Sequence, residues 1–132
     1  MNGYVRQFDG QTQISATDMV EAVTGLLCSP AENQHLSWCD RYECQLSNFY
    51  SAYDALSLKP SSIEELLKGI QLAKELQMAI VRAGVSLIES GAVEVAAWFR
   101  LCNVQCSQSV DIALFQNPLA LQKLALFITS AY

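Results

Sequence analysis

The chain has one histidine, His35. Any Ser/His/Asp or Cys/His nucleophilic site would have to use it as the base that takes the nucleophile's proton. Its surroundings, ENQHLSWC, supply Cys39 four residues on but no oriented third group, so His35 reads as a solvated loop histidine. The five cysteines are Cys28, Cys39, Cys44, Cys102 and Cys106. Cys39/Cys44 and Cys102/Cys106 have spacings loosely compatible with a structural zinc site, which takes thiolates about two to four residues apart. CDRYEC and CNVQC lack the glycine-bearing knuckle, however, and a free cysteine is also a small buried hydrophobe. Core or incidental thiols are the expectation, with a zinc-stabilised domain as the weaker alternative. Glu64 and Glu65 are adjacent carboxylates, but the first turn of a helix accounts for both through the helix dipole. Trp98 with Arg100 nearby has the chemistry of a base-stacking platform. Without a basic groove, packing of the indole against a helix is the expected role. No P-loop, GxGxxG or HExxH pattern occurs. No catalytic, cofactor-binding or metal-binding residue is assigned, and the chain is expected not to be an enzyme.

The elements that would position such groups begin from composition. The 132 residues fit one domain, with 52% hydrophobic and only 16% charged residues, against a usual charged share of about 25%. A small domain has proportionally more surface to keep wet, so low charge suggests apolar surface meant for a partner or for more chain. The net charge of −5, with eight scattered basic residues, argues against direct nucleic-acid contact, which needs clustered Lys and Arg. No stretch approaches the roughly 18 consecutive apolar residues of a membrane span. MNGYVRQFDG lacks the apolar block of a secretory signal. A soluble intracellular setting with reduced thiols is expected.

A short strand is expected near Tyr4–Phe8. ISATDMVEAVTGLLCSP reads as a helix with Ser15 as N-cap, Asp18 three residues on, and Ala16, Met19, Val20, Val23, Leu26 and Leu27 on one stripe before Pro30. The stretch 28–45 reads as a loop with a partly ordered second half. QLSNFYSAYDALSLKP then places Leu46, Phe49, Tyr50, Tyr53 and Leu56 at helical spacing. Ser61 to Gly91 reads as one long helix, with Ser61 and Ser62 at capping-box distance from Glu64 and Glu65, and with a break allowed at Gly84. Its apolar stripe, from Ile63 and Leu66 to Leu87 and Ile88, is wider than one neighbour covers. At roughly 40 Å it is also long for a chain whose compact radius of gyration would be near 14 Å. VEVAAWFRL and SVDIALF alternate with period two and read as two antiparallel strands. Asn117 and Pro118 open a last helix with Leu121, Leu124, Ala125 and Ile128 as its core stripe.

The fold class is therefore α+β and mainly helical: 1–60 a helical segment with a short strand and a loop, 61–91 a long connector helix, 92–132 a β-hairpin plus a C-terminal helix. Two strands alone do not make a stable sheet. Either the N-terminal strand joins them or further chain completes the sheet.

Three stretches carry a resemblance. Ala16-Thr17-Asp18-Met19-Val20, then Tyr53 to Ser57 with Gly69 to Lys74, then Ser109 to Leu121, resemble in order and spacing the C-terminal half of the eukaryotic replication factor cell division cycle 45 family, over about residues 5–130. The resemblance implies that the long helix is a connector, and that the hairpin and last helix open a DHHA1-like domain related to that of the DHH phosphoesterases. It implies a fragment of a longer family chain and a nuclear, non-catalytic scaffold of the replicative helicase, with MCM subunits, the GINS complex and the rest of its own family chain as partners. The family's DHH-type segment has no counterpart here, and no Gly-Gly occurs. The stretch 28–45 departs from the family; its Trp38, Arg41 and Tyr42 are candidate partner-binding residues, because aromatics and Arg are favoured anchors. The alternative is a free-standing α+β binding module with a small ligand between the long helix and the hairpin.

Overall fold

The computed structural model describes residues 5–8, 12–29, 38–57, 59–104 and 114–131. It divides into two compact units, Met1–Glu75 and Leu76–Tyr132.

In the first unit, β1 (Val5–Phe8) pairs antiparallel with β2 (Thr12–Ser15), Val5 opposite Ser15 and Phe8 opposite Thr12. The expected strand is β1; its partner β2 lies where no strand is expected, its last two residues, Ile14 and Ser15, belonging to the stretch read as the start of the first helix. β2 places Ile14 in the core and ends on the cap of α1 (Ala16–Leu27). That cap is the expected one and is reciprocal. The Ser15 hydroxyl accepts from the Asp18 N–H at 3.1 Å, and the Asp18 carboxylate accepts from the Ser15 N–H at 3.4 Å.

The buried face of α1 is rotated from the expected stripe. Ala22, Gly25 and Leu26 are buried, whereas Val20 is half exposed. The cause is a close helix crossing. A Cβ on Gly25 would overlap the Gly69 carbonyl oxygen, and one on Gly69 would overlap the Ala22 carbonyl oxygen. Only two glycines let the backbones of α1 and α3 (Ser62–Glu89) touch in this way. Around the crossing, Ile14, Ala22, Leu26, Ala52, Ala55 and Leu66 form one core.

α2 (Trp38–Ala55) joins this core through Ala52 and Ala55. The Asn48 side-chain amide donates to the Ser29 carbonyl at 2.8 Å and pins α2 to the end of α1. Ser62, expected near a capping box, acts differently. Its buried hydroxyl lies 2.8 and 2.7 Å from the Ser57 and Lys59 carbonyl oxygens, which share its one proton, and closes the turn that precedes α3.

α3 runs unbroken for 28 residues, roughly 42 Å. Its second half belongs to the second unit. No break occurs at Gly84; the Phe127 ring occupies the place where a side chain would stand. The helix ends at Gly91 as expected. Gly91, at φ 69°, donates to the Ile88 carbonyl at 3.2 Å and Ala92 donates to Leu87 at 3.1 Å. This is the Schellman arrangement, for which glycine is the residue without a steric penalty.

The segment VEVAAWFRL is not one strand. It folds on itself: β3 (Val93–Val95) pairs with β4 (Arg100–Cys102), Val95 opposite Arg100, and the Ala96 N–H donates to the Phe99 carbonyl at 2.9 Å. The turn falls on Ala97-Trp98, which carries no Gly, Asn or Pro to signal it. The second expected strand lies mostly outside the described residues. Its end, Leu114–Gln116, is a 3₁₀ turn with Phe115 buried. In α4 (Pro118–Ser130) the Asn117 side chain accepts from the Leu119 N–H at 2.9 Å, as expected of the cap. Leu124 and Ile128 are buried with Ala120, while Leu121 and Ala125 face solvent. No helix among the described residues is long and apolar enough to cross a membrane.

Candidate functional site

Helix α2 presents its large apolar side chains outward. Tyr42, Leu46, Phe49, Tyr50 and Tyr53 recur at intervals of three and four, so they fall on one face. All five are exposed, from 39% for Leu46 to 69% for Tyr53. The opposite face is built of small residues. Ala52 and Ala55 are buried, and Cys44, Asn48 and Ser51 are half-buried. Small residues bring α2 close to its neighbours, and the Asn48 bond fixes its rotation. The aromatic stripe therefore has nowhere to point but outward.

The rings order one another. Phe49 meets Tyr50 edge-on at 5.8 Å and stacks near Tyr53 at 6.5 Å with planes 27° apart, separations in the attractive range for aromatic pairs. At about 150–250 Å² per aromatic side chain, the face offers roughly 500 Å² of largely apolar surface. That is in the upper range of the largest patch on ordinary monomers, about 300–600 Å². It is also a large part of one side of a standard protein interface, about 800 Å². Tyrosine hydroxyls at the ring tips keep such a face compatible with water.

Of the residues expected to bind a partner, Tyr42 lies on this stripe, 57% exposed. Trp38 opens α2 and stands one helical turn before Tyr42, while Arg41 is one position off that register. The side chains of Trp38 and Arg41 lie outside the described residues. The three begin a helix rather than sit in a loop. The larger part of the face, Phe49, Tyr50 and Tyr53, was visible in the sequence as helical spacing but not as a surface. The available signal was the run of Cys44, Asn48, Ser51, Ala52 and Ala55 on the other side.

The second exposed feature is the hairpin. Trp98 is 96% exposed on its turn, with Phe99, Val95 and Leu101 also exposed. The expected packing of Trp98 against a helix does not occur, because the residue lies at the turn and not within a strand. Beside the second half of α3 lies a shallow depression lined, among the described residues, by one helical face carrying Val81, Arg82, Val85, Ser86 and Glu89.

His35 and Cys106 lie outside the described residues, as does the side chain of Cys39. Cys28 is buried, and Cys44 and Cys102 are half-buried. Among the described residues no group of three or more His, Cys, Asp or Glu is placed to hold a metal ion. Glu64 and Glu65 occupy the first turn of α3 as expected, and one Glu65 carboxylate oxygen is buried without a hydrogen-bond partner among the described residues.

Comparison with known proteins places the chain in a family. The CDC45 family model matches residues 1–132. The chain is similar to Cell division control protein 45 of Saccharomyces cerevisiae, 32% identical over 146 residues, covering 93% of this chain and 22% of the yeast protein. The Cell division control protein 45 homolog of Dictyostelium discoideum is 35% identical over 132 residues, covering 99% of this chain and 19% of the relative. The homolog of Schizosaccharomyces pombe is 31% identical over 149 residues, covering 98% and 22%. The chain thus spans about a fifth of the length of the curated relatives it matches. With the whole of its length accounted for by the family's pattern, this chain belongs to the CDC45 family.

Proposed function

We propose that the chain is a DNA replication factor that works as a non-catalytic scaffold segment of the replicative helicase, in the nucleus, holding MCM and GINS subunits together during initiation and elongation. The observation that carries this reading is the outward aromatic face of α2, an ordered apolar surface that is a large part of one side of an interface, on a helix whose other side packs Ala52 and Ala55 into the core. Family membership supports the same direction, since the relatives are named for control of cell division. The charge balance supports contact with proteins rather than with DNA. A net charge of −5 gives no electrostatic grip on phosphates.

The test is a pull-down from nuclear extract with this chain as bait, beside the same chain carrying Phe49→Asp and Tyr53→Asp. Retention of MCM and GINS subunits by the first bait and their loss from the second is the expected result. Equal retention by both baits would move the contact away from α2, and no retention by either would remove the helicase role from this chain.

A further inference from the structure

The aromatic stripe of α2 has a chemically distinct margin. With about 100° of rotation per residue, Glu43 and Asp54 fall together on the side next to Tyr50, and both side chains are exposed. Among the described residues neither makes an ion pair. The wider surroundings have the same sign. Residues 1–75 carry five Lys and Arg against ten Asp and Glu, whereas residues 76–132 carry three of each. The entire net charge of −5 thus belongs to the unit that contains α2.

We infer that the α2 face docks a basic amphipathic helix of a partner protein, its apolar stripe laid along Leu46, Phe49 and Tyr53 and its Lys or Arg margin along Glu43 and Asp54. A helix suits the site because the face is about three turns long, and its rows of side chains at three- and four-residue spacing interdigitate with those of a second helix. The charge follows from complementarity: carboxylates beside a desolvating contact repel an acidic helix and favour a basic one. An anionic membrane surface is disfavoured by the same carboxylates. The inference rests on reading the α2 face as a docking surface and adds the chemistry of its partner.

The test uses the full chain and three fluorescein-labelled helical peptides of about 18 residues. One has leucines on one face and lysines on the other, one has glutamate in place of lysine, and one has the leucine–lysine composition in scrambled order. Fluorescence anisotropy reads binding. The leucine–lysine helix should bind about fivefold or more tighter than the glutamate helix, the increment expected of two exposed ion pairs, and tighter than the scrambled peptide, which has no continuous apolar face. Charge reversal by Glu43→Lys with Asp54→Lys should invert the preference between the lysine and glutamate helices. Removing the rings by Phe49→Ser with Tyr53→Ser should weaken both. All four positions are exposed, and circular dichroism verifies that each variant keeps its helix content. A lysine preference that survives the charge reversal would overturn the inference, because it would reflect overall acidity alone. So would binding to phosphatidylserine vesicles that is lost with the two rings while peptide binding is unchanged. These outcomes are separable from the pull-down: MCM and GINS retention that depends on the rings, beside peptides that ignore the charge reversal, would keep the docking surface and remove only the partner chemistry.

Discussion

Gly69 sits where the carbonyl oxygen of Ala22 presses against α3, and Gly25 sits where the Gly69 carbonyl presses against α1. Alanine is about 1 kcal/mol better than glycine within a helix, so propensity alone would make Gly69→Ala stabilising. The obstacle is backbone, which cannot rotate aside, and overpacking of this kind costs about 1–3 kcal/mol. Gly69→Ala is therefore expected to lower the urea midpoint. Gly84 differs in one respect. The atoms in the way belong to the half-buried ring of Phe127, which can turn, so Gly84→Ala should fall within about 1 kcal/mol of the parent. Equal losses at the two positions would refute the distinction. Local signals of this scale were largely legible: Ser15, Asn117 and Gly91 each carry a hydrogen-bonding or conformational property that one residue type supplies and that its position in the sequence reveals. What could not be read is a glycine whose reason is another backbone. Gly25 and Gly69 are 44 positions apart in the chain, and nothing near either announces the other. Ser62 was hidden for a related reason, since its hydroxyl serves the turn behind it instead of the helix ahead.

At the scale of the element, the periodicity that reveals a helix does not say which way it turns. α3 and α4 have apolar stripes that do meet a core, though both are broader than what is buried: Leu67, Val81 and Leu121 remain exposed. α2 inverts the usual expectation that the largest apolar side chains of an amphipathic helix point inward. Its small side packs, and the competition is decided by how close α2 must come to its neighbours. This predicts an inverted pattern of mutational cost. Phe49→Ser removes a large ring yet should change stability by no more than about 0.5 kcal/mol, as for other surface positions. Ala52→Leu adds apolar volume yet should cost about 1–3 kcal/mol through overpacking. Chemical denaturation of the two variants checks the rotation of the helix directly, and the opposite order would mean that α2 is turned around. The caps make a simpler prediction. Ser15→Ala should cost about 1 kcal/mol by leaving helix N–H groups of α1 unsatisfied, whereas Val20→Ala, on the exposed side of the same helix, should cost less. The hairpin was legible in kind but not in register. Alternation identified extended chain, and a turn made of Ala97 and Trp98 gave no sign that the chain reverses there.

For the molecule as a whole, the chain organises as two units, each with its own apolar centre, and α3 contributes to both. In the first, Leu26 and Leu66 are buried among Ile14, Ala22 and the alanines of α2. In the second, Leu76, Ile80, Leu87, Phe115, Leu124 and Ile128 are the large buried side chains. Length and composition, which fit one domain, measure how much can be buried and not whether it is buried in one place. Stability need not be uniform across such a chain, and cooperative units open with their own free energies. Leu66→Ala and Leu87→Ala each empty a site with 0% exposure, at a cost of about 2–5 kcal/mol. The two losses should be read in different places by amide hydrogen exchange. Leu66→Ala should speed exchange in α1, α2 and the first half of α3 while α4 retains its protection. Leu87→Ala should speed exchange in the second half of α3 and in α4 while α1 retains its own. If either variant instead loses protection evenly from α1 to α4, the chain opens as one cooperative body, and α3 then transmits the loss at one core to the other along its hydrogen-bonded length.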